Sequence, residues 1–140
     1  MVKRKDTRKN AMELIFQMEI QNDFSDEAIE KFQELNSLTV KQRDYMSLLF
    51  RNIEERLEKV DTVIEENAEN WRIQRLAKVD LSILRIALIE MFYVEEVPIA
   101  VAINEAVSLA KIYGSDNSAK FINGILGTVA RKMQGNKNAT

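Results

Sequence analysis

The sequence contains no cysteine and no histidine among its 140 residues. Disulfides, thiolate chemistry, imidazole general bases and the usual zinc ligand sets are therefore excluded. Carboxylate chemistry remains open because 22 residues are Asp or Glu, yet no acidic pair stands out from the charged helix surfaces that carry them. We therefore expect a protein that binds rather than catalyses, with no metal and no cofactor.

Proline and glycine are also scarce, with one proline and four glycines. This composition leaves few turn residues for a β-rich fold, and apolar residues recur at helical spacing almost throughout the chain. The sequence predicts an all-α fold of six to seven helices, in a single domain spanning residues 1–140 and built as two packed small bundles. Within this domain we expect a basic N-terminal arm at 1–9 and a frayed tail at 135–140.

Long apolar runs are lacking as well. The longest, at 81–94, is interrupted by Ser82, Arg85 and Glu90 and is too short to span a bilayer, so it predicts a core helix. The charged first residues lead into no apolar signal region. We therefore expect a cytoplasmic protein.

The apolar spacing predicts helices over about 6–21, 25–35 and 73–94, and the last of these should lie at the centre of the molecule. Ser25 or Asp26 is the expected N-cap of the second helix, and Thr39 is the expected N-cap of the third. Two apolar segments follow Thr39, and they form either two helices or one bent helix.

The remaining helix start and stop signals predict two more helices. Pro98 suits the first turn of one helix, and Gly114 is well placed to end it. Residues 115–118 offer several N-caps for the last helix. Gly124 and Gly127 lie inside that helix and cost about 1 kcal/mol each relative to Ala, so we expect close helix packing as compensation.

Charge is nearly balanced in number but unevenly distributed. The formal net charge is only −2, which argues against a protein that coats nucleic acid by bulk charge. Residues 3–9 contain five basic residues and one acidic residue, whereas residues 19–34 contain six acidic residues and one lysine. The molecule should therefore be electrically lopsided.

The basic residues at the start of the first predicted helix are one candidate for a functional site. A helix N-terminus already carries partial positive charge, so Lys5, Arg8 and Lys9 cost roughly a few tenths of a kcal/mol each unless an anion such as phosphate offsets them. Phe16 follows on the same helical face, where a base could stack on its ring. The alternative is a solvated basic start with Phe16 in the core.

A second candidate is the polar turn 114–118 with the residues that follow it. Lys120 and Phe121 lie just inside the last predicted helix, so a helix start able to bind an anion adjoins an aromatic ring. The alternative is a well-capped helix whose Phe121 fills the core, and composition alone favours this alternative.

Arg85 is a third candidate because it is a lone cation in an apolar run. Its burial requires a partner, for which Glu90, Asp80 and Glu105 are the candidates. A structural ion pair and a functional contact both remain open.

Several stretches of the chain follow one another in a family-like order and spacing. They are Arg8, Ala11, LIF at 14–16, VDLSILRIALIE at 79–90, VP at 97–98, VAINEAV at 101–107, LAK at 109–111, Gly114 and KFINGIL at 120–126. Together they resemble the NusB family, and the resemblance covers nearly the whole chain.

The resemblance implies a transcription antitermination factor made of two packed helical bundles. Such a protein binds the boxA element of nascent RNA, usually with a small-subunit ribosomal protein called NusE in this role. The complex joins RNA polymerase and the other Nus factors and suppresses premature termination, chiefly in ribosomal RNA synthesis. No reaction is catalysed.

By position, the resemblance assigns RNA binding to two groups of residues on a single strand. They are Arg4, Lys5, Arg8, Lys9 and Phe16, and then Arg85, Asp116, Asn117, Ser118, Lys120 and Phe121. Glu90 is the residue it suggests for partner binding. The basic motif is part lysine here, which loses the bidentate fork of arginine, and Phe16 stands where tyrosine is frequent, which leaves stacking without a hydroxyl hydrogen bond.

Two other functions fit the same fold. One is a NusB-like module that recognises proteins only, and its binding would respond little to salt, whereas phosphate contacts would weaken as salt rises. The other is the RNA-recruiting domain of an RNA methyltransferase, which ranks last because the sequence contains no cofactor-binding segment. A homodimer that masks the apolar and basic surfaces before a partner binds is a further expectation.

Overall fold

The computed structural model of the protein describes residues 4–69 and 72–138. Six α-helices and one short 3-10 helix make up this part of the chain, with no β-strand in it. The helices are α1 (Arg4–Gln21), α2 (Asp26–Leu35), α3 (Val40–Asn67), the 3-10 helix (Ile73–Arg75), α4 (Lys78–Tyr93), α5 (Ile99–Tyr113) and α6 (Ser118–Asn138). The predicted all-α fold is confirmed.

Side-chain caps set the starts of α2 and α3. The Ser25 hydroxyl accepts a hydrogen bond from the backbone N–H of Ala28 at 3.2 Å, so Ser25 rather than Asp26 is the N-cap of α2. Thr39 and Gln42 form a reciprocal capping box at the start of α3. The apolar segments that follow Thr39 form one helix of 28 residues.

The prediction that a single helix begins at Ile73 was wrong. Residues 73–75 form a 3-10 turn, Leu76 is extended and buried, and α4 begins only at Lys78. Burial of the Leu76 side chain therefore outweighs the helical preference of the local sequence. The predicted central position of this helix is confirmed, because every residue from 80 to 91 is buried.

Helix α4 is shared by two groups of packed helices. It packs against α1 and α3, which also contact each other, and against α5 and α6, which form the most extensive helix pair. This arrangement fits the expected pair of small bundles. In the part of the chain that the structure describes, no helix combines the length and the apolar character needed to cross a membrane.

The glycines of α5 and α6 confirm one sequence prediction and contradict another. Gly114 ends α5 as expected, with φ of −90°, and a Cβ there would lie 2.5 Å from the Ser118 side chain and 2.7 Å from the Ala110 carbonyl oxygen. The expected close packing at Gly124 and Gly127 is wrong. A Cβ at Gly124 would meet no atom within 4 Å, and one at Gly127 would meet only the Arg131 guanidinium, at 3.5 Å.

The outer boundaries of α5 and α6 also differ from the predicted ones. Pro98 is the N-cap of α5 and lies one residue before the first helical position. The backbone of α6 continues to Asn138, through most of the segment 135–140 for which the sequence predicts a frayed tail.

Candidate nucleic-acid interface

Arg8 lies inside the molecule rather than on its basic surface. Its side chain is buried, and its Nε donates hydrogen bonds to both carboxylate oxygens of Glu90, at 2.9 and 2.8 Å. The Tyr45 hydroxyl donates to the same carboxylate. An internal carboxylate is therefore the anion that offsets Arg8, where the sequence led us to expect phosphate.

The contact with Glu90 favours the charged form of Arg8 despite its burial. Desolvation by burial lowers the pKa of Arg8, but the charge of Glu90 and the hydrogen bonds to it outweigh that effect and raise it. Glu90 itself is 1% exposed. In this structure neither Arg8 nor Glu90 presents its side chain to an RNA strand or a partner protein, so both act by holding α1 against α4.

Lys9 has the opposite placement. It is exposed, and its ammonium nitrogen lies 6.0 Å from the centre of the Tyr113 ring, within the range of a cation–π contact. Tyr113 is the last residue of α5 and is followed directly by the turn 114–118. The contact therefore brings the basic start of α1 beside the second candidate region.

The other first-helix candidates are only partly described. The side chains of Arg4 and Lys5 lie outside the described part of the structure. Phe16 is half-buried, two turns along α1 from Lys9, and its ring is not a member of the core cluster formed by the described residues. The ring thus remains accessible for stacking on one side.

Arg85 is the centre of a second buried ion-pair network. Its Nε and Nη2 donate to the two carboxylate oxygens of Asp61, at 2.9 and 2.8 Å, and its Nη1 donates to Glu19 at 2.9 Å. None of the three expected partners is involved. The Arg85 side chain is 3% exposed, and each of its guanidinium nitrogens donates to a carboxylate. Its ion pairs are therefore structural and join α1, α3 and α4.

Glu19 is half-buried and links Arg85 to a second cation. Its carboxylate also accepts from the Lys78 ammonium at 3.3 Å. Partial burial raises the pKa of Glu19, but the hydrogen bonds and charges of Arg85 and Lys78 outweigh burial and hold it below the ordinary value. The ionised carboxylate is therefore the form that the fold prefers.

The candidate residues in and after the turn between α5 and α6 differ in exposure. Ser118 is buried, and its hydroxyl accepts a hydrogen bond from the backbone N–H of Ser115 at 2.9 Å, which fixes the turn. Asp116, Asn117 and Lys120 are exposed. Ser118 therefore shapes the turn, whereas its three neighbours are free to contact a ligand.

An open cleft of about 520 Å³ continues from this turn along α6 to the end of α3. Its lining consists of Asn67, Ala68, Glu69, Asn117, Lys120, Phe121, Gly124, Ile125 and Thr128. Phe121 is half-buried, packs against the core and contributes to the cleft wall, so both proposed roles of its ring are partly met.

Two parts of this surface were not identified from the sequence. Tyr113 links the two candidate regions, and its position directly before Gly114 is the feature that could have drawn attention to it. The end of α3 joins the cleft only through the tertiary fold, so no local sequence pattern marks it.

The fold is therefore all-helical in the described part of the chain, with exposed lysines beside half-buried aromatic rings on one surface. Among the described residues no cluster of three or more acidic side chains could hold a metal ion. A protein-family model described as "NusB family" matches residues 5–131. The chain belongs to the NusB family.

Curated relatives and solved structures agree with this assignment. The chain is 42% identical to the transcription antitermination protein NusB of Alkaliphilus oremlandii, with 89% of this chain and 90% of the relative covered. It is 40% identical to the protein of the same name from Listeria monocytogenes, with 92% and 97% covered. The structure of T. maritima NusB superimposes with a TM-score of 0.84 at 33% identity, covering 93% of this chain and 92% of the other.

A more distant structure shows the same fold in a complex. It contains antitermination factors NusB and NusE with double-stranded RNA, and it matches with a TM-score of 0.83 at 22% identity, covering 92% of this chain and 96% of that one. At this identity the likeness establishes the fold alone.

Proposed function

We propose that this protein is a transcription antitermination factor that binds boxA-type single-stranded RNA together with NusE. In this role it suppresses premature termination, chiefly in ribosomal RNA synthesis, and it acts by binding rather than by catalysis. Membership of the NusB family and the names of its curated relatives support the proposal.

The observation that carries the RNA part of the proposal is the contact between Lys9 and Tyr113. It joins the basic start of α1 to the turn that leads into α6, and the two regions become one surface with cations and aromatic rings along it. Lysines on such a surface contact phosphates, while rings such as those of Phe16 and Phe121 stack on bases.

We propose RNA contacts for the members of the two groups that remain once the three buried side chains are set aside. They are Arg4, Lys5, Lys9, Phe16, Asp116, Asn117, Lys120 and Phe121. Among them the side chains of Phe16 and Phe121 are half-buried, and those of Arg4 and Lys5 lie outside the described part of the structure. Arg8, Arg85 and Ser118 are the members set aside, because their side chains are buried and paired.

The partner proposal rests on family membership. A related protein of this fold has been crystallised with NusE and RNA, and we propose NusE as the heterodimer partner here, within an RNA polymerase elongation complex that holds the other Nus factors. A homodimer that covers the basic surface before NusE binds is part of the same proposal, and sedimentation across micromolar concentrations measures it.

The proposal is tested by fluorescence-anisotropy titration of a boxA-type RNA and a scrambled strand, each with and without NusE, at two salt concentrations. We expect tighter and salt-sensitive binding of the boxA strand when NusE is present, because counterions are released from the phosphates that lysines contact. Equal or absent binding of both strands would contradict the RNA proposal and favour a module that recognises proteins only.

A further inference from the structure

The cleft beside α6 extends well beyond the residues that carry the RNA proposal. Asn117, Lys120 and Phe121 occupy one end, and Asn67 and Glu69 from the end of α3 occupy the other. Resting on the proposed RNA function, we propose that this cleft is a nucleotide subsite. In it a base that bears an exocyclic amino group stacks against Phe121, and the carboxylate of Glu69 reads that amino group.

The shape of the cleft suits a flat base. Phe121 supplies an aromatic wall whose far side is fixed by contact with the core. Gly124 forms the adjoining wall, where even a Cβ would meet no atom within 4 Å. A volume of about 520 Å³ leaves room for a base to enter edge-first while its face lies against the ring.

Cations flank the cleft along α6. Lys120, Gly124, Thr128 and Lys132 recur at intervals of four residues, so they follow one side of the helix. The two lysines are separated by about 18 Å of helix, which accommodates the backbone of several nucleotides. The ammonium of Lys132 donates to the Asn67 side chain at 2.7 Å, which ties the distal cation to the end of α3.

Glu69 is the one carboxylate in the lining of this cleft. A carboxylate between two lysines repels phosphate, but it accepts hydrogen bonds from the amino groups of cytosine, adenine or guanine. Uracil has no amino group to offer. Among the described residues the Glu69 carboxylate forms no ion pair, so it is available to a ligand.

The backbone at Glu69 has a positive φ, a conformation that glycine adopts more readily than glutamate. Its φ is +29°, and it follows the C-cap residue Ala68, a position where glycine is the usual choice. Terminating α3 would therefore be better served by glycine than by glutamate. The presence of a charged side chain there at a conformational cost is consistent with a role in binding.

Three substitutions distinguish an effect on RNA binding from an effect on the stability of the fold. Replacing Glu69 with glycine removes the carboxylate and also relieves the left-handed backbone, so Glu69→Gly should fold at least as stably as the wild type. Gly124→Leu fills the cleft from an exposed helical position and provides a second, independent block. Glu30→Gln removes an exposed carboxylate from α2 and serves as the matched control.

The experiment is an anisotropy titration, with NusE present, of a boxA-type RNA and a series in which each nucleotide in turn is replaced by uridine. In the wild type we expect one position, occupied by an amino-bearing base, where uridine weakens binding roughly tenfold. Glu69→Gly should reduce that preference to less than twofold while binding the uridine strand as tightly or more tightly. Gly124→Leu should weaken the original strand, and Glu30→Gln should match the wild type.

Three results would overturn the inference. Glu69→Gly could keep the full preference, it could weaken all strands equally, or Gly124→Leu could bind as the wild type does. In each case RNA binding itself would stand. Absence of salt-sensitive binding to any strand by the wild type would instead refute the proposed function together with this subsite.

Discussion

Arg8 and Lys9 adjoin in α1, yet one is buried against Glu90 and the other is exposed over Tyr113. In the sequence the two residues belong to one basic cluster, and helical spacing does not tell which cation meets a buried carboxylate 82 residues away. The same holds for Arg85, whose partners Glu19 and Asp61 are distant in sequence. The burial of Arg85 could be anticipated from its apolar surroundings, but the burial of Arg8 could not, and neither could the partners of either residue.

Removing one member of the buried pair tests this difference directly. Arg8→Ala leaves the Glu90 charge buried without its cation, and we expect the free energy of unfolding to fall by roughly 3–5 kcal/mol in a denaturant titration. Lys9→Ala is the matched control and should change it by about 0.5 kcal/mol or less. Equal effects of the two substitutions would show that Arg8 is not held as described.

Glu19 gives the molecule a defined acid response. Because the pKa of Glu19 is lower in the folded protein than its ordinary value of 4.5, the ionised form stabilises the fold above that pH. This contribution is lost as the pH falls from about 4.5 through the lowered pKa of the folded state. We expect Glu19→Gln to be less stable at neutral pH and to lose less stability on acidification, measured by denaturant titrations between pH 7 and pH 3. Parallel profiles for the variant and the wild type would contradict this.

At the scale of the helices, boundaries marked by side-chain caps were predictable and boundaries set by tertiary burial were not. Ser25 and Thr39 cap α2 and α3 as expected, because capping is a local interaction. The start of α4 was missed, because burial of Leu76 depends on the rest of the core. The packing at Gly124 was predicted wrongly for a related reason. How closely another helix approaches this glycine depends on the tertiary fold, and here the facing residues at the end of α3 lie across an open cleft.

The glycines of α5 and α6 provide a test at this scale. Gly114→Ala places a Cβ 2.5 Å from the Ser118 side chain, and we expect a loss of about 1–3 kcal/mol as the turn shifts. Gly124→Ala meets open space and improves helix propensity, so stability should rise by about 1 kcal/mol. Thermal unfolding of both variants measures the difference, and a stabilising Gly114→Ala would contradict the packing described for the turn.

At the scale of the whole molecule, local sequence patterns indicated both candidate regions, and the resemblance to the NusB family implied that they bind one strand together. The contact that joins them was not predicted. Lys120 and Phe121 follow a recognisable polar turn, and the basic start of α1 is evident from its charge. Tyr113 joins the two because the Lys9 side chain of α1 reaches the last residue of α5, and the cleft forms because α6 lies beside the end of α3. Such juxtapositions depend on the packing of α4 between its neighbours, which no local pattern encodes.

The central claim is that the two regions form one RNA-binding surface, and the most direct measurement is the salt dependence of RNA affinity in lysine variants. Lys9→Ala and Lys120→Ala should each make the slope of log affinity against log salt shallower by about 0.7, and the double variant by about 1.4, because each lysine contacts one phosphate. Lys31→Ala, on the acidic α2, should leave the slope unchanged. If only one of the two lysines alters the slope, or if neither differs from Lys31→Ala, the single-surface account is contradicted.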